Sequence, residues 1–138
     1  MSEIVEAFKY VYQSLDRNNI GSIDKIYEDD VVFVDPFREI RGLSNLKHYF
    51  TDMYEGVSYC RFQFTNTLIQ KEDAAVLWTM ELVHPKLGGG KKIIVPGSSY
   101  IVFSQKIEYH RDYFDAAAML YENIPLIGRI IKRIKANV

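Results

Sequence analysis

The chain has 138 residues, of which 48% are hydrophobic and 25% charged, and its formal net charge is −1. This length fits one domain, and the balance excludes a disordered chain, a membrane-spanning chain and a surface that attracts nucleic acid by its bulk charge. Aromatic residues make up 14% of the chain, a surplus that is typical of an aromatic-lined cavity or dimer face.

Cysteine and histidine usage limits the metal and redox chemistry that we expect. Cys60 is the single cysteine, which excludes an internal disulfide, and the three histidines are scattered at His48, His84 and His110. The first residues lack the basic start and apolar run of a signal peptide, and no window approaches the ~20 apolar residues of a spanning helix. We therefore expect a cytoplasmic protein with no metal and no other cofactor.

The N-terminal third predicts two helices and a strand. Residues 3–15 carry an apolar stripe at helical spacing, with Ser2 available as N-cap. After a polar break, a second and shorter stripe runs from Ile20 to Tyr27. A short apolar strand over residues 31–35 then ends at Asp35.

Asp35 stands between an apolar strand and Pro36, and two interpretations of it stay open. A carboxyl group flanked by Phe33 and Phe37 is partly desolvated, which raises its pKa towards values useful for proton transfer. Asp-Pro is also an ordinary strand-ending turn in which the aspartate accepts hydrogen bonds from its own backbone, and local sequence favours this turn.

The rest of the chain predicts one more helix and then strands. Leu43 to Tyr54 form a third amphipathic helix that Gly56 ends. Alternating residues then predict strands over 57–70, with Cys60, Phe62, Phe64 and Leu68 on one side, and over 74–82. Strand character resumes at 92–103, where Pro96-Gly97 is typical of a bulge, and the last strand runs from Ile107 to Phe114.

This order of elements predicts an α+β domain, an antiparallel sheet with helices on one face. The tail has a different character. A helix starts near Ala116, breaks at Ile124-Pro125, and continues as a stripe of Leu126, Ile127, Ile130, Ile131 and Ile134 opposed by Arg129, Lys132, Arg133 and Lys135. Such a stripe more often packs on its own domain or a dimer mate than on a membrane surface. We expect one domain over 1–138, with a core at 3–115 and a helical extension at 116–138.

The segment Tyr27-Glu-Asp-Asp-Val-Val-Phe-Val-Asp-Pro-Phe37 and the closing Ile107-Glu-Tyr-His-Arg-Asp-Tyr-Phe-Asp115 carry a resemblance. With them the chain resembles the nuclear transport factor 2-like (NTF2-like) superfamily, in its SnoaL-like and ketosteroid isomerase-like branch. The resemblance implies a cone: a curved antiparallel sheet wraps three N-terminal helices and leaves a deep apolar pocket, usually in a homodimer. The C-terminal amphipathic helix is extra to that pattern.

The resemblance also implies roles for single residues. Asp35 matches the isomerase carboxylate that moves a proton between carbons of an enolisable ketone. The isomerase oxyanion donors have no match, because the helix-1 tyrosine falls on Val11, with Tyr10 and Tyr12 to either side and pointing elsewhere, and the protonated acid falls on Ser98 or Ser99. Since a preorganised oxyanion hole is usually the largest catalytic term, a strict ketosteroid isomerase is not expected.

The last strand offers a different set of groups. Alternation places His110 and Asp112 on one side, and the register that matches the isomerases points both into the cone. With Asp35 they form a predicted catalytic set that would titrate as a coupled group. The alternative is an ion pair of Asp112 with His110 or Arg111 that only locks strand to helix.

Around this set we expect a pocket lined mainly by aromatic side chains. The predicted lining is Tyr12, Phe33, Phe37, Phe50, Tyr54, Phe62, Phe64, Trp78, Met80, Ser98, Tyr100 and Phe114. Collectively these residues favour an apolar, ring-containing ligand, although each alone is more typical of a core.

Two functions follow as hypotheses. The first is a cofactor-free isomerase, cyclase or dehydratase acting on a small apolar carbonyl compound, with Asp35 as general base and His110 or Asp112 as acid or second base. The second is a non-catalytic ligand-binding or dimeric assembly module of the same fold.

Overall fold

The first two helices pack against one face of a curved, unclosed six-stranded sheet, as the predicted α+β class requires. The computed structural model describes residues 2–121 and 125–138. The helices are α1 (Glu3–Ser14), α2 (Leu43–Gly56) and α3 (Pro125–Ala136), and the strands are β1 (Tyr27–Val34), β2 (Glu39–Arg41), β3 (Tyr59–Ile69), β4 (Asp73–Val83), β5 (Ile93–Phe103) and β6 (Ile107–Phe114).

The helical stripes behave as predicted, with one difference in helix type. Helix α1 buries Val5, Phe8, Val11 and Tyr12, while Ser2 sits at the N-cap without a side-chain capping bond. The second stripe forms a 3₁₀ helix over Ile20–Lys25 rather than an α-helix. Its apolar residues recur every three positions, which matches the three-residue turn of a 3₁₀ helix.

The strand order is β2-β1-β6-β5-β4-β3, and the sheet is not wholly antiparallel. Strand β1 lies parallel to β6, so the first long strand pairs with the last. Strand β1 also begins at Tyr27, before the predicted start at residue 31, because Tyr27 pairs with Ile107. The short strand β2 was not predicted; it pairs with β1 across the turn after Asp35.

Strand β3 contains a bulge that corrects the predicted facing of Leu68. Phe64 pairs with Trp78 but Asn66 pairs with Leu77, so Thr65 is an extra residue. One extra residue exchanges the two faces for the rest of a strand. Leu68 is consequently exposed instead of sharing the inner face with Phe62 and Phe64.

The bulge predicted at Pro96-Gly97 is wrong, because β5 stays in regular register with β4 through both residues. Pairing with β6 begins only at Gly97, so the missing N–H of Pro96 is tolerated. Gly97 has a packing role instead. A Cβ at this position would lie 2.5 Å from Cη2 of Trp78, its cross-strand partner, so only glycine lets the indole lie against the strand.

The C-terminal part follows β6 through a π-helical turn, Ala117–Tyr121, and then α3. The break predicted at Ile124 lies outside the described residues. Among residues 2–121 and 125–138, no helix is long and apolar enough to cross a bilayer.

Candidate functional site

The parallel pairing of β1 with β6 brings two of the predicted catalytic residues to one place. Val34 pairs with Arg111, so the next residues along the two strands, Asp35 and Asp112, end up side by side at the same edge of the sheet. Both border an open cleft, the carboxylate cleft, whose lining is Asp35, Pro36, Arg111, Asp112, Tyr113 and Phe114. Strand pairing alone therefore brings together Asp35 and Asp112, which are 77 positions apart in the chain.

Asp35 is almost buried, with 9% of its surface exposed, and both of its oxygens are engaged. Its Oδ1 accepts hydrogen bonds from the backbone N–H groups of Phe37 (2.8 Å) and Arg38 (3.1 Å), which is the turn geometry expected for Asp-Pro. Its Oδ2 accepts a short hydrogen bond from the Tyr49 hydroxyl. Burial, reinforced by this bond to Asp35, raises the pKa of Tyr49, so the phenol keeps its proton and remains a donor.

His110 is fully buried and both of its ring nitrogens have partners. Nδ1 lies 2.6 Å from the Tyr27 hydroxyl, which lies 2.6 Å from the Tyr12 hydroxyl. Nε2 lies 2.6 Å from Oδ1 of Asp112. We call Tyr12, Tyr27 and His110 the tyrosine–histidine chain.

The tyrosine–histidine chain ends at the Asp112 carboxyl group. Its groups bond in sequence, Tyr12 to Tyr27, Tyr27 to Nδ1 of His110, and Nε2 of His110 to Asp112. Burial raises the pKa of both tyrosines, so their hydroxyls stay protonated. With no exposed surface, His110 is connected to the carboxylate cleft only through Asp112.

Asp112 is the group at which the buried chain meets the cleft. Its Oδ1 also accepts from Ser99 Oγ at 2.5 Å, and Ser99 Oγ accepts from Trp78 Nε1 at 2.9 Å. No described residue bonds to Oδ2, and the side chain is 13% exposed. Oδ1 is thus held by two neighbours, and the Asp112 side chain borders the carboxylate cleft.

An apolar cavity of about 310 Å³ lies next to this cleft, a volume at the lower end of the range for ligand sites. The C-terminal half of α2, the inner faces of β3 and β4, the loop after β4 and the π-helical turn border it. Its lining is Phe37, Tyr49, Asp52, Met53, Tyr54, Gly56, Val57, Cys60, Met80, Leu82, His84, Leu87 and Met119.

An aromatic pair stands between the two spaces. Phe37 borders the apolar cavity, Phe114 borders the carboxylate cleft, and their ring centroids are 5.9 Å apart. Tyr49 provides a second connection, because it lines the cavity while its hydroxyl bonds to Asp35. A ligand in the cavity therefore lies one side chain away from the carboxylates.

The predicted lining residues fall into four groups. Phe37, Tyr54 and Met80 border the apolar cavity, and Phe114 borders the carboxylate cleft. Six residues belong to the packed interior: Tyr12, Phe33, Phe50, Phe62, Phe64 and Trp78. Ser98 and Tyr100 lie on the opposite face of β5 from Ser99, where the Tyr100 hydroxyl donates to Asp73, so neither borders the cavity or the cleft.

The structure also corrects the expected direction of Tyr12. Tyr10 is exposed, but Tyr12 points into the interior and joins the tyrosine–histidine chain. Of the two serines at the position of the isomerase acid, Ser99 is the inward one, and it donates to Asp112 instead of facing a ligand.

Several cavity residues were missed, although the sequence carries a signal for them. Tyr49, Met53 and Gly56 recur at spacings of four and three on α2, and Leu82 and His84 continue the inward alternation of Met80. A histidine before a proline at a strand end is typical of a surface residue, but His84 is half-buried at the cavity. Burial raises the pKa of the Cys60 thiol to about 11, so this cavity residue is a neutral thiol at neutral pH. Within the described ranges, no three His, Cys, Asp or Glu side chains are grouped as metal ligands.

Comparison with known proteins gives one family match. The model of the SnoaL-like domain matches residues 8–109 of the chain. No curated protein matches the sequence.

Solved structures with the same fold are numerous and distant in sequence. An NTF2-like protein of unknown function from Burkholderia pseudomallei has a TM-score of 0.76 at 16% identity, with 86% of this chain and 95% of that chain covered. A protein of ketosteroid isomerase-like fold from Catenulispora acidiphila, in complex with trimethylamine, has a TM-score of 0.75 at 12% identity, covering 91% and 95%. An LEH-like epoxide hydrolase from M. tuberculosis has a TM-score of 0.67 at 21% identity, covering 84% and 83%. At these identities the likeness shows the fold alone.

Proposed function

Because the chain belongs to the SnoaL-like domain family, we propose that it binds a small apolar, ring-containing carbonyl compound and moves a proton on it without a cofactor. The observation that carries this proposal is the environment of Asp112. One carboxylate oxygen is fixed by His110 and Ser99, the other has no partner among the described residues, and Asp112 borders the cleft that Asp35 also borders. A fixed carboxylate with one open oxygen, beside an apolar cavity, is suited to proton abstraction.

In the proposed reaction, Asp112 Oδ2 takes a proton from the carbon next to the carbonyl, and the electron pair of that C–H bond moves into the enolate. The proton returns to another carbon of the same molecule, so nothing is oxidised or reduced. The hydrogen bonds from His110 and Ser99 hold the carboxylate plane and keep Oδ2 aimed at the cleft.

Asp35 is the second carboxylate in this proposal. Because its Oδ1 is used by the turn and its Oδ2 by Tyr49, it has fewer open lone pairs than Asp112. The Tyr49 hydroxyl, which stays protonated, is the donor nearest to both the cavity and a carboxylate. We assign Tyr49 as the hydrogen-bond donor to the carbonyl oxygen of the ligand. This bond forms when the Tyr49 hydroxyl leaves Asp35.

Deuterium incorporation tests the proposal without knowledge of the natural substrate. The wild-type chain is incubated in D₂O with enolisable ring ketones such as 2-tetralone, and exchange is followed by NMR. We expect Asp112→Asn to lower the exchange rate by at least about 10²-fold, the usual size of a general-base effect. Asp30→Asn, which changes an exposed aspartate elsewhere, is the control and should leave the rate unchanged. Equal rates for Asp112→Asn and the wild type would contradict the proposal.

A non-catalytic ligand carrier is the second candidate, and a specific observation favours it. Asp35 is engaged by its own turn, and His110 is sealed from any ligand. A carrier would bind an apolar probe in the cavity, detectable by native mass spectrometry, with no exchange on any ketone and with the same affinity in Asp112→Asn.

We further propose a homodimer through the outer face of the sheet. That face carries the exposed side chains Leu77, Ile94 and Tyr113, apolar surface that a second copy would cover. Light scattering of the wild type and of Ile94→Lys tests this, since the substitution should shift a dimer to a monomer. A monomeric wild type would contradict it.

A further inference from the structure

Helix α3 presents an apolar line to the outside that the described part of the chain does not cover. Ile130 is 55% exposed and Ile134 is 59% exposed, and they lie one turn apart on the same side of the helix. Val138, two residues past the end of α3, is also fully exposed. On α1, by contrast, the apolar stripe is buried in the core.

The opposite side of α3 is the side held to the domain. Gly128 is buried, and Lys135 Nζ lies 2.7 Å from Oδ2 of Asp115, just after β6. This ion pair lowers the pKa of Asp115, so the carboxylate is ionised at neutral pH. The helix is therefore docked with its exposed isoleucines directed away from the domain.

The charge of α3 identifies the partner. Its twelve residues include Arg129, Lys132, Arg133 and Lys135 and no acidic residue, although the whole chain has a net charge of −1. Arg129 and Arg133 each directly precede one of the exposed isoleucines, and both are exposed. Pairing α3 with a second copy of itself would bring like charges together, which disfavours a helix-to-helix dimer. An anionic surface that also accepts apolar side chains meets both requirements.

We propose that α3 binds the surface of an anionic lipid bilayer, with Ile130 and Ile134 entering the headgroup boundary and Arg129 and Arg133 contacting lipid phosphates. At twelve residues the helix is about 18 Å long, which suits a helix lying in the plane of the interface. The isoleucines supply the buried apolar area, and the cations supply attraction that depends on lipid charge. This interaction is separate from the carboxylate cleft and holds whether or not the chain is an enzyme.

Vesicle flotation of the full chain tests the proposal. The probes are extruded vesicles of phosphatidylcholine alone and of phosphatidylcholine mixed with phosphatidylglycerol. We expect the chain to float with the anionic vesicles and not with the neutral ones. Ile130→Ser/Ile134→Ser should lower the partition coefficient at least about tenfold, because two apolar side chains are lost from the boundary. Arg129→Glu/Arg133→Glu should abolish the preference for anionic lipid.

The matched control is Tyr10→Ser/Ile69→Ser, which removes two apolar side chains that are 71% and 42% exposed on α1 and β3. It should keep the partition coefficient within about twofold of the wild type, since exposed residues elsewhere do not touch the bilayer. Absence of flotation, equal flotation with neutral vesicles, or an equal loss in the control would each overturn the proposal. Light scattering gives the remaining outcome: a dimer that becomes a monomer in Ile130→Ser/Ile134→Ser would show that the stripe binds a second copy, and the proposal would be wrong.

Discussion

The interior around His110 and the border region of cavity and cleft are built from the same residue types but differ in how their polar atoms are used. In the interior, the hydroxyls of Tyr12 and Tyr27 and both nitrogens of His110 are paired with one another or with Asp112. At the border, Asp112 keeps an open oxygen and an apolar cavity lies alongside. Burial of polar residues alone therefore does not mark the site; an open position on a fixed polar group does.

The difference has a physical origin. An unpaired polar atom in a dry interior costs about 1–3 kcal/mol, so the tyrosine–histidine chain has to be complete. At the cleft, solvent reaches the carboxylate and that cost disappears. The fold can thus leave a reactive oxygen only at the cleft, which lies where the pairing of β1 with β6 ends.

The largest expected effect on stability comes from the centre of the sealed interior. His110→Ala removes a fully buried ring and takes one hydrogen-bond partner each from Tyr27 and Asp112, so we expect the free energy of unfolding to fall by about 3–5 kcal/mol in urea titrations. His48→Ala, on the exposed side of α2, should change it by less than about 0.5 kcal/mol. A loss below about 1 kcal/mol for His110→Ala would mean that the interior is hydrated.

Gly97→Ala tests the packing that connects the two regions, because Trp78 both lies on Gly97 and bonds to Ser99. The new methyl group would overlap the indole and the Tyr113 carbonyl oxygen, 2.7 Å away, so we expect a loss of about 2–3 kcal/mol, measured by thermal unfolding. At Gly21 nothing lies within 4 Å of an added Cβ, and Gly21→Ala should be neutral. If Gly97→Ala is also neutral, the indole can move and does not fix Ser99.

A Tyr→Phe substitution in the interior and another beside the cleft compare how much a lost hydroxyl costs in each region. Tyr27→Phe removes a hydroxyl that serves both Tyr12 and His110, and we expect a loss of about 1–2 kcal/mol in the free energy of unfolding. Tyr49→Phe removes a hydroxyl beside the cleft, where water can replace it at Asp35, and should cost less than about 1 kcal/mol. Equal losses would contradict the comparison, since they would place Asp35 in an equally dry environment.

The smallest effect concerns Cys60 at the cavity wall. Because burial raises its pKa to about 11, the thiolate fraction at pH 8 is about one hundredth of that of a thiol with the ordinary value of 9.0. Alkylation by iodoacetamide should therefore be slow at pH 8 and increase up to about pH 11, while the denatured chain reacts from about pH 9. The sign for stability follows: protonated Cys60 favours the folded state, and this contribution is lost as the pH rises from about 9 to 11. A folded-state midpoint near pH 9 would show that water fills the cavity.

Much of the fold could be predicted, because helices and strands leave local periodic signals. The stripes of α1 and α2 and the alternation of β4 and β6 all matched the structure, including the inward direction of His110 and Asp112. The failures occurred where one residue changes the pattern. Thr65 exchanges the faces of β3 and so exposes Leu68. Gly97 packs against the Trp78 indole at a position where the sequence predicts a bulge.

The candidate site could be predicted only in part. A resemblance pointed to Asp35, His110 and Asp112, but roles depend on contacts that no spacing encodes. The bond between Tyr27 and His110 joins residues 83 positions apart, and with the bond to Asp112 it engages both nitrogens of His110. Tyr49 and His84 were not predicted as cavity residues. They line the cavity only because α2 and the end of β4 face each other, and local spacing does not predict that contact.

The sequence by itself determined the element order, the inward faces of most strands and the identity of the carboxylates, since these follow from short-range periodicity and residue chemistry. Only the tertiary structure decided which carboxylate keeps an open oxygen and which apolar stripe stays uncovered. Asp35 is engaged by its turn and by Tyr49 whereas Asp112 is not, and the stripe of α1 is buried whereas Ile130 and Ile134 are exposed. The physical reason is the same in both cases: an atom's partners are set by the packing of elements distant in the chain, which local patterns do not specify.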